Sequence, residues 1–191
     1  MSPHVTPTER DKMLSGAPYR ADDSDLAARR TRARALCARY NHLEPGDSVA
    51  RRRILDELMG KVGDRVTIEP PFYCDYGANL ILSDDVYFNT GCVVLDCGTV
   101  EIGPGAKLGP GVQIATAFHP TDPDLRRTGV EMARPIRIGA NAWIGAGAIL
   151  CPGVEIGDDT TVGAGSVVTR SLPAGVVAAG TPCRVIRPAR P

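Results

Sequence analysis

His119 is the residue best placed by type and setting to move a proton. The other two histidines, His4 and His42, fall in the N-terminal region, whereas His119 lies in ATAFHPTDPDLRRTGVEMARPIR, a polar segment from Ala115 to Arg137 that carries three prolines. An imidazole titrates near neutrality, so in such a segment it suits the work of a general base. A metal centre built on several imidazoles is excluded, because this one histidine serves everything after residue 42. No metal is expected. The six cysteines, Cys37, Cys74, Cys92, Cys97, Cys151 and Cys183, make no CxxC pair and have no base beside them in sequence. They read as free, mostly buried thiols rather than nucleophiles or staples.

The elements that must position His119 follow from a six-residue period. Aliphatic residues recur at Ile138, Ile144, Leu150, Ile156, Val162 and Val168, each followed by a small or turn-compatible residue: Gly139, Gly145, Cys151, Gly157, Gly163 and Thr169. Ile102, Leu108 and Ile114 hold the same phase upstream, preceded by Leu82, Phe88 and Val94, and by a weaker set at Val62, Ile68 and Cys74. Between Val94 and Ile102 the repeat slips by two residues around Asp96 to Gly98. A period of six fits neither an amphipathic helix nor a heptad, but it fits a short strand with alternating side chains followed by a tight turn. Pro-Gly pairs at 104–105, 110–111 and 152–153, with Asp158-Asp159, supply the corners. Three hexads per coil stack into a triangular prism, a mainly β parallel β-helix. The repeat does not set its hand, since parallel crossovers are right-handed in about 98% of cases. The segment from about 115 to 137 breaks the register once and reads as a loop projecting from the prism.

Residues 1–60 read as a helical cap, with one helix over roughly Ser24 to Tyr40 and a second over Asp47 to Met59; Leu26, Ala33, Leu36, Cys37 and Tyr40 share a face of the first. Residues 61–191 are the β-helix with its inserted loop and a C-terminal tail over 171–191. The 22 basic and 22 acidic residues cancel, which argues against a nucleic-acid or anionic-membrane partner. No apolar run approaches a membrane span and no leader pattern opens the chain, so a cytoplasmic protein is expected.

Beyond the bare repeat, the chain carries KMLSGAPY, YNHLEP, VGDRVTIEPPFYCDYGANLILSDDVYFN, LGPGVQIATAFHP, GAGSVVTR and VVAAGTPCRVIR. In these segments, which cover nearly its whole length, it resembles the maltose and galactoside O-acetyltransferase family, in which nodulation O-acetyltransferases are also found. The resemblance implies a left-handed β-helix assembled as a homotrimer with sites between subunits, and transfer of acetyl from acetyl-CoA to a sugar hydroxyl. The family's base falls on His119 and its oxyanion donor on Asn89 of Tyr87-Phe88-Asn89, where a plain turn residue is the bland reading. Glu131 could orient the imidazole. Acceptor contacts map to Asp75, Asp96 and Tyr87 and to an N-terminal acid, Asp22 or its neighbour Asp23. Coenzyme A contacts map to Trp143, Ala146, Ala164, Thr169, Arg170, Arg184 and Arg187. The small residues admit a pantetheine arm and the guanidinium groups suit phosphate; Trp143 serves equally as a subunit contact. Two alternatives stand beside this reading: a hexapeptide acetyltransferase for another acceptor (an antibiotic, an amino-sugar nucleotide or serine), and a non-catalytic β-helix scaffold.

Overall fold

The computed structural model describes residues 6–190. From residue 61 the chain winds through a left-handed prism with three parallel faces. Face 1 stacks Lys61–Val62, Leu80–Leu82, Val100–Ile102, Ile136–Ile138 and Glu155–Ile156; face 2 stacks Thr67–Ile68, Tyr87–Phe88, Lys107–Leu108, Trp143–Ile144, Thr161–Val162 and Val176–Gly180; face 3 stacks Tyr73–Cys74, Val93–Leu95, Gln113–Ala115, Ile149–Leu150 and Val167–Val168. Register is set by the hexad itself: Ile68, Phe88, Leu108, Ile144 and Val162 align on face 2 and are all buried. Their apolar side chains leave water together, which is the main drive for stacking one coil on the next.

The residue after each marker is small because the coils approach closely there. A Cβ at Gly145 would lie 2.7 Å from the Val162 carbonyl oxygen, and one at Gly109 would lie 2.7 Å from the Ala146 nitrogen. The tail extends the prism rather than leaving it. Leu172 bridges to Ile156 and Val176–Gly180 adds a parallel strand beside Thr161–Val162, after which Cys183–Pro188 folds back antiparallel.

The two-residue slip at Asp96 has a structural cause. Its side chain is fully buried and accepts backbone N–H groups of Asp75 at 3.0 Å, Tyr76 at 2.8 Å and Asn79 at 3.3 Å. For Tyr76 and Asn79 the carboxylate thus stands in for coil-to-coil hydrogen bonds that the slip would leave unmade, while Asp75 N also reaches the Val94 carbonyl. Asp96→Ala strips the carboxylate partner from two buried donors, Tyr76 N and Asn79 N, while Asp75 N keeps the Val94 carbonyl, and should cost about 2 kcal/mol or more, read as a lowered urea midpoint. Burial raises the Asp96 carboxyl to about 6 against the pull of those N–H groups. A group with its folded pKa above its unfolded value favours the fold at low pH, and that contribution disappears as pH rises from about 4 through about 6. Asp96→Asn should remove this component from the pH dependence of stability.

The cap is helical as expected, with α1 over Glu9–Ser15, α2 over Ser24–Asn41 and α3 over Ser48–Leu58. Sequence reading missed α1, although Thr8 and Asp11 form a reciprocal capping box that marks its start. Leu26, Ala33, Leu36, Cys37 and Tyr40 of α2 are all buried. Asn41 clamps the first coil, donating to Phe72 O at 3.0 Å and accepting from Phe72 N at 2.9 Å, while Tyr40 donates to Ile68 O. These bonds cover the open end of the prism, where unpaired backbone would otherwise invite edge-to-edge pairing. Five of the six thiols are buried and Cys151 is partly so; Cys37 and Cys74 lie 3.7 Å apart across the junction of cap and prism.

The segment expected to be a loop is more ordered than that. Ala117–Phe118 and Val130–Ala133 pair antiparallel, Pro123–Arg127 forms the short helix α4, and Val130–Ala133 also pairs with Tyr19–Arg20 of the cap. Proline does not prevent this: Pro123 opens α4 behind the N-cap Asp122. The cap therefore supplies the third strand of the projection, and the boundary drawn near residue 60 is crossed by hydrogen bonds. No helix among the described residues is long and apolar enough to cross a membrane.

Candidate active site

His119 follows the strand Ala117–Phe118 and its side chain is 59% exposed. Three contacts hold the segment that carries it. Arg134 stacks over Phe118 with its guanidinium carbon 5.0 Å from the ring centroid, Arg126 donates to Pro120 O, and Arg20 donates to Thr128 O. The antiparallel register pairs Ala117 with Ala133 and Phe118 with Met132, so the next pair in line is His119 with Glu131. Cross-strand partners present side chains on one face, and the imidazole Nε2 indeed lies 4.0 Å from Glu131 Oε1. The other carboxylate oxygen accepts from the Tyr19 hydroxyl at 3.0 Å.

Below this row, at the corner where face 3 turns into face 1, sits Asp75. It is half-buried, accepts from the Cys97 thiol at 3.7 Å, and has its carboxyl raised above the ordinary value, by burial first. Asp96 lies at the same corner one coil on, where its buried side chain holds backbone N–H groups. The two N-terminal acids divide their duties. Asp23 caps α2, accepting from Asp25 N and Leu26 N, and Asp22 is exposed and paired with Arg20 at 3.0 Å. Asp22 is thus the more exposed of the two, with both oxygens accepting from the Arg20 guanidinium.

Asn89 and Tyr87 occupy a different corner, where face 2 turns into face 3. Asn89 is half-buried and its side-chain oxygen accepts from Thr90 N at 2.8 Å, as a turn residue would. With Tyr87 it lines a cleft of about 680 Å³ shared with Tyr40, Arg51 and Glu69. Coil-to-coil bonds from Asn89 N to Leu108 O, Gly109 N to Ile144 O and Gly145 N to Val162 O put Asn89 in one vertical line with Gly109, Gly145 and Gly163. Ala146 and Ala164 follow that line and are exposed, so the corner above Asn89 is a shallow groove without side chains to block it. Trp143 stands beside the groove on face 2, 58% exposed between Lys107 and Thr161. Arg184 and Arg187 project from the antiparallel tail, both exposed.

Thr169 and Arg170 follow the last strand of face 3 and belong to the His119 corner instead. The expected residues therefore fall into two groups, one at each margin of face 3, and a single chain does not unite Asn89 with His119. Between them the outward ladder of face 3 reads Tyr73, Val93, Gln113, Ile149 and Val167, four of the five apolar, whereas the ladder of face 1 reads Lys61, Ile81, Glu101, Arg137 and Glu155. Among the described residues no cluster of three or more His, Cys, Asp or Glu is arranged to hold a metal ion.

The coiled repeat, the helical cap and a histidine on a projecting arm define a hexapeptide-repeat transferase. Residues 135–170 match the model of the bacterial transferase hexapeptide, and residues 12–63 match that of the maltose acetyltransferase hexapeptide capping motif. Nodulation protein L of Rhizobium meliloti (strain 1021) is 48% identical over 182 residues, 95% of this chain and 99% of its own. Among solved structures, a maltose O-acetyltransferase from Clostridium difficile 630 superposes with a TM-score of 0.94 at 42% identity, covering 96% of this chain and 98% of the other. A galactoside acetyltransferase in complex with coenzyme A gives a TM-score of 0.92 at 36% identity over 96% and 92% of the two chains. The chain belongs to the maltose and galactoside acetyltransferase family of hexapeptide-repeat enzymes.

Proposed function

We propose that this protein transfers acetyl from acetyl-CoA to a hydroxyl of a sugar, with His119 as general base. The observation that carries the reading is the row at the tip of the projecting sheet: an exposed imidazole facing a carboxylate that is itself anchored. His119 takes the proton from the acceptor hydroxyl as its oxygen attacks the thioester carbonyl carbon. The oxyanion that forms is met by the Asn89 amide, and collapse breaks the C–S bond and releases coenzyme A thiol, to which the imidazolium returns the proton. Asp75 and Asp22 at the same end accept hydrogen bonds from hydroxyl groups and repel an anionic acceptor, which favours a neutral, polyhydroxylated one.

The donor lies along the groove of Ala146 and Ala164 with Trp143 beside it, and Arg170, Arg184 and Arg187 meet its phosphates. That a related galactoside acetyltransferase is solved in complex with coenzyme A supports the choice of donor. A homotrimer completes the site: the apolar ladder of face 3 packs against neighbouring copies and brings the Asn89 corner of one chain to the His119 corner of the next. The experiment is release of thiol from acetyl-CoA with a panel of sugars, alongside a direct measurement of coenzyme A binding. Sugar-dependent turnover supports the reading. Binding without turnover on any sugar moves the acceptor to another class, such as an antibiotic or an amino sugar, and absence of coenzyme A binding overturns the reading whole.

A further inference from the structure

The three-stranded projection joins chain segments that are more than a hundred residues apart, and its register has a chemical consequence. Tyr19 pairs with Glu131 across one strand boundary, and His119 follows Phe118, the partner of Met132, across the other. Tyrosine, glutamate and histidine therefore stand in one row across the sheet. We infer that Tyr19 is a positioning residue for the acetyl transfer: its hydroxyl holds one oxygen of Glu131 so that the other stays aimed at His119 Nε2. The inference rests on His119 being the base.

Three further observations support it. Tyr19 is 1% exposed, packed in a cluster with Met13, Leu26, Tyr76, Cys97 and Ala133, so its ring is held in place with the hydroxyl against Glu131. Burial, and then the neighbouring Cys97 and Glu131, raise the phenol far above its ordinary value, which keeps it a donor at any working pH. Glu131 stands on the central strand of the projection with its side chain one quarter exposed, and its only side-chain hydrogen bond among the described residues is the one from Tyr19, so without that hydroxyl its rotamer would be less tightly fixed. A carboxylate held through one oxygen loses less on meeting an imidazolium than a mobile one does, because its ordering has already occurred.

The test is a cycle of Tyr19→Phe, Glu131→Ala and the double variant, with kcat and the KM for acetyl-CoA measured for each and folding checked by melting temperature. Tyr19→Phe keeps the packed ring and should lower kcat by about 10-fold, within the range that loosened positioning costs, with the KM for acetyl-CoA unchanged. In the Glu131→Ala background the same substitution should change nothing, since the hydroxyl acts through that carboxylate. An unaltered kcat in Tyr19→Phe, or equal losses from that substitution with and without Glu131, would overturn the inference while leaving the base assignment standing. Should Tyr19→Phe fold poorly, Glu131→Ala alone decides: an undiminished kcat there removes the link through which Tyr19 must act. Full activity in His119→Ala would sink the base assignment and this inference together.

Discussion

Replacing His119 by alanine should lower kcat by about 10²- to 10⁴-fold while coenzyme A binding is retained. The imidazole is well exposed and carries no packing that the fold depends on, so the loss measures chemistry rather than stability. The groove proposed for the donor is built mainly from face 2, its corner and the tail, which within one chain lie away from the projecting sheet. Binding of coenzyme A to the variant, followed directly by calorimetry, separates the two contributions. A variant that binds coenzyme A and turns over sugars at the wild-type rate would show that the proton leaves by another route. A loss confined to KM would make His119 a binding group instead.

The prism was legible because its signal is repeated in every coil. Each hexad states the same two requirements, an aliphatic side chain pointing inward and a small residue where coils touch, and an error in any one is outvoted by its neighbours. The projection was located by the same logic, as the place where the register fails between Ile114 and Ile138. Its inner order was not legible, because it depends on a pairing between Tyr19–Arg20 and Val130–Ala133 that leaves no local periodicity in either segment. Two-residue strands are below the length at which alternation can be read. Asp96 has a second role that the sequence does not display. The resemblance makes it an acceptor contact, and the structure shows its oxygens accepting from the Asp75, Tyr76 and Asn79 amides. An acid beside a repeat slip has two uses, binding and holding backbone, and a sequence does not tell them apart. Asp22 and Asp23 are likewise alike in sequence, and the structure tells them apart by making Asp23 the N-cap of α2.

Asn89→Ala carries the second large effect, a fall in kcat of about 10²- to 10³-fold as expected for removing an oxyanion donor. Its partner group is on another corner of the prism, so this loss has a signature that no single-chain site would give. If the sites are completed between neighbouring copies of a threefold assembly, each one draws His119 from one chain and Asn89 from the next. Chains of His119→Ala retain a good Asn89, and chains of Asn89→Ala retain a good His119. Unfolding the two variants together in equal amounts and refolding them should then create intact sites wherever an Asn89→Ala chain presents its histidine to a His119→Ala chain. Random assembly does so at about one site in four, and activity should climb from near zero to about a quarter of wild type. Mixing without unfolding should recover far less, since the apolar ladder of Tyr73, Val93, Ile149 and Val167 must first be exposed for chains to exchange. If refolded mixtures stay as inactive as their parents, each chain works alone, and Asn89 is the turn residue that its bond to Thr90 describes.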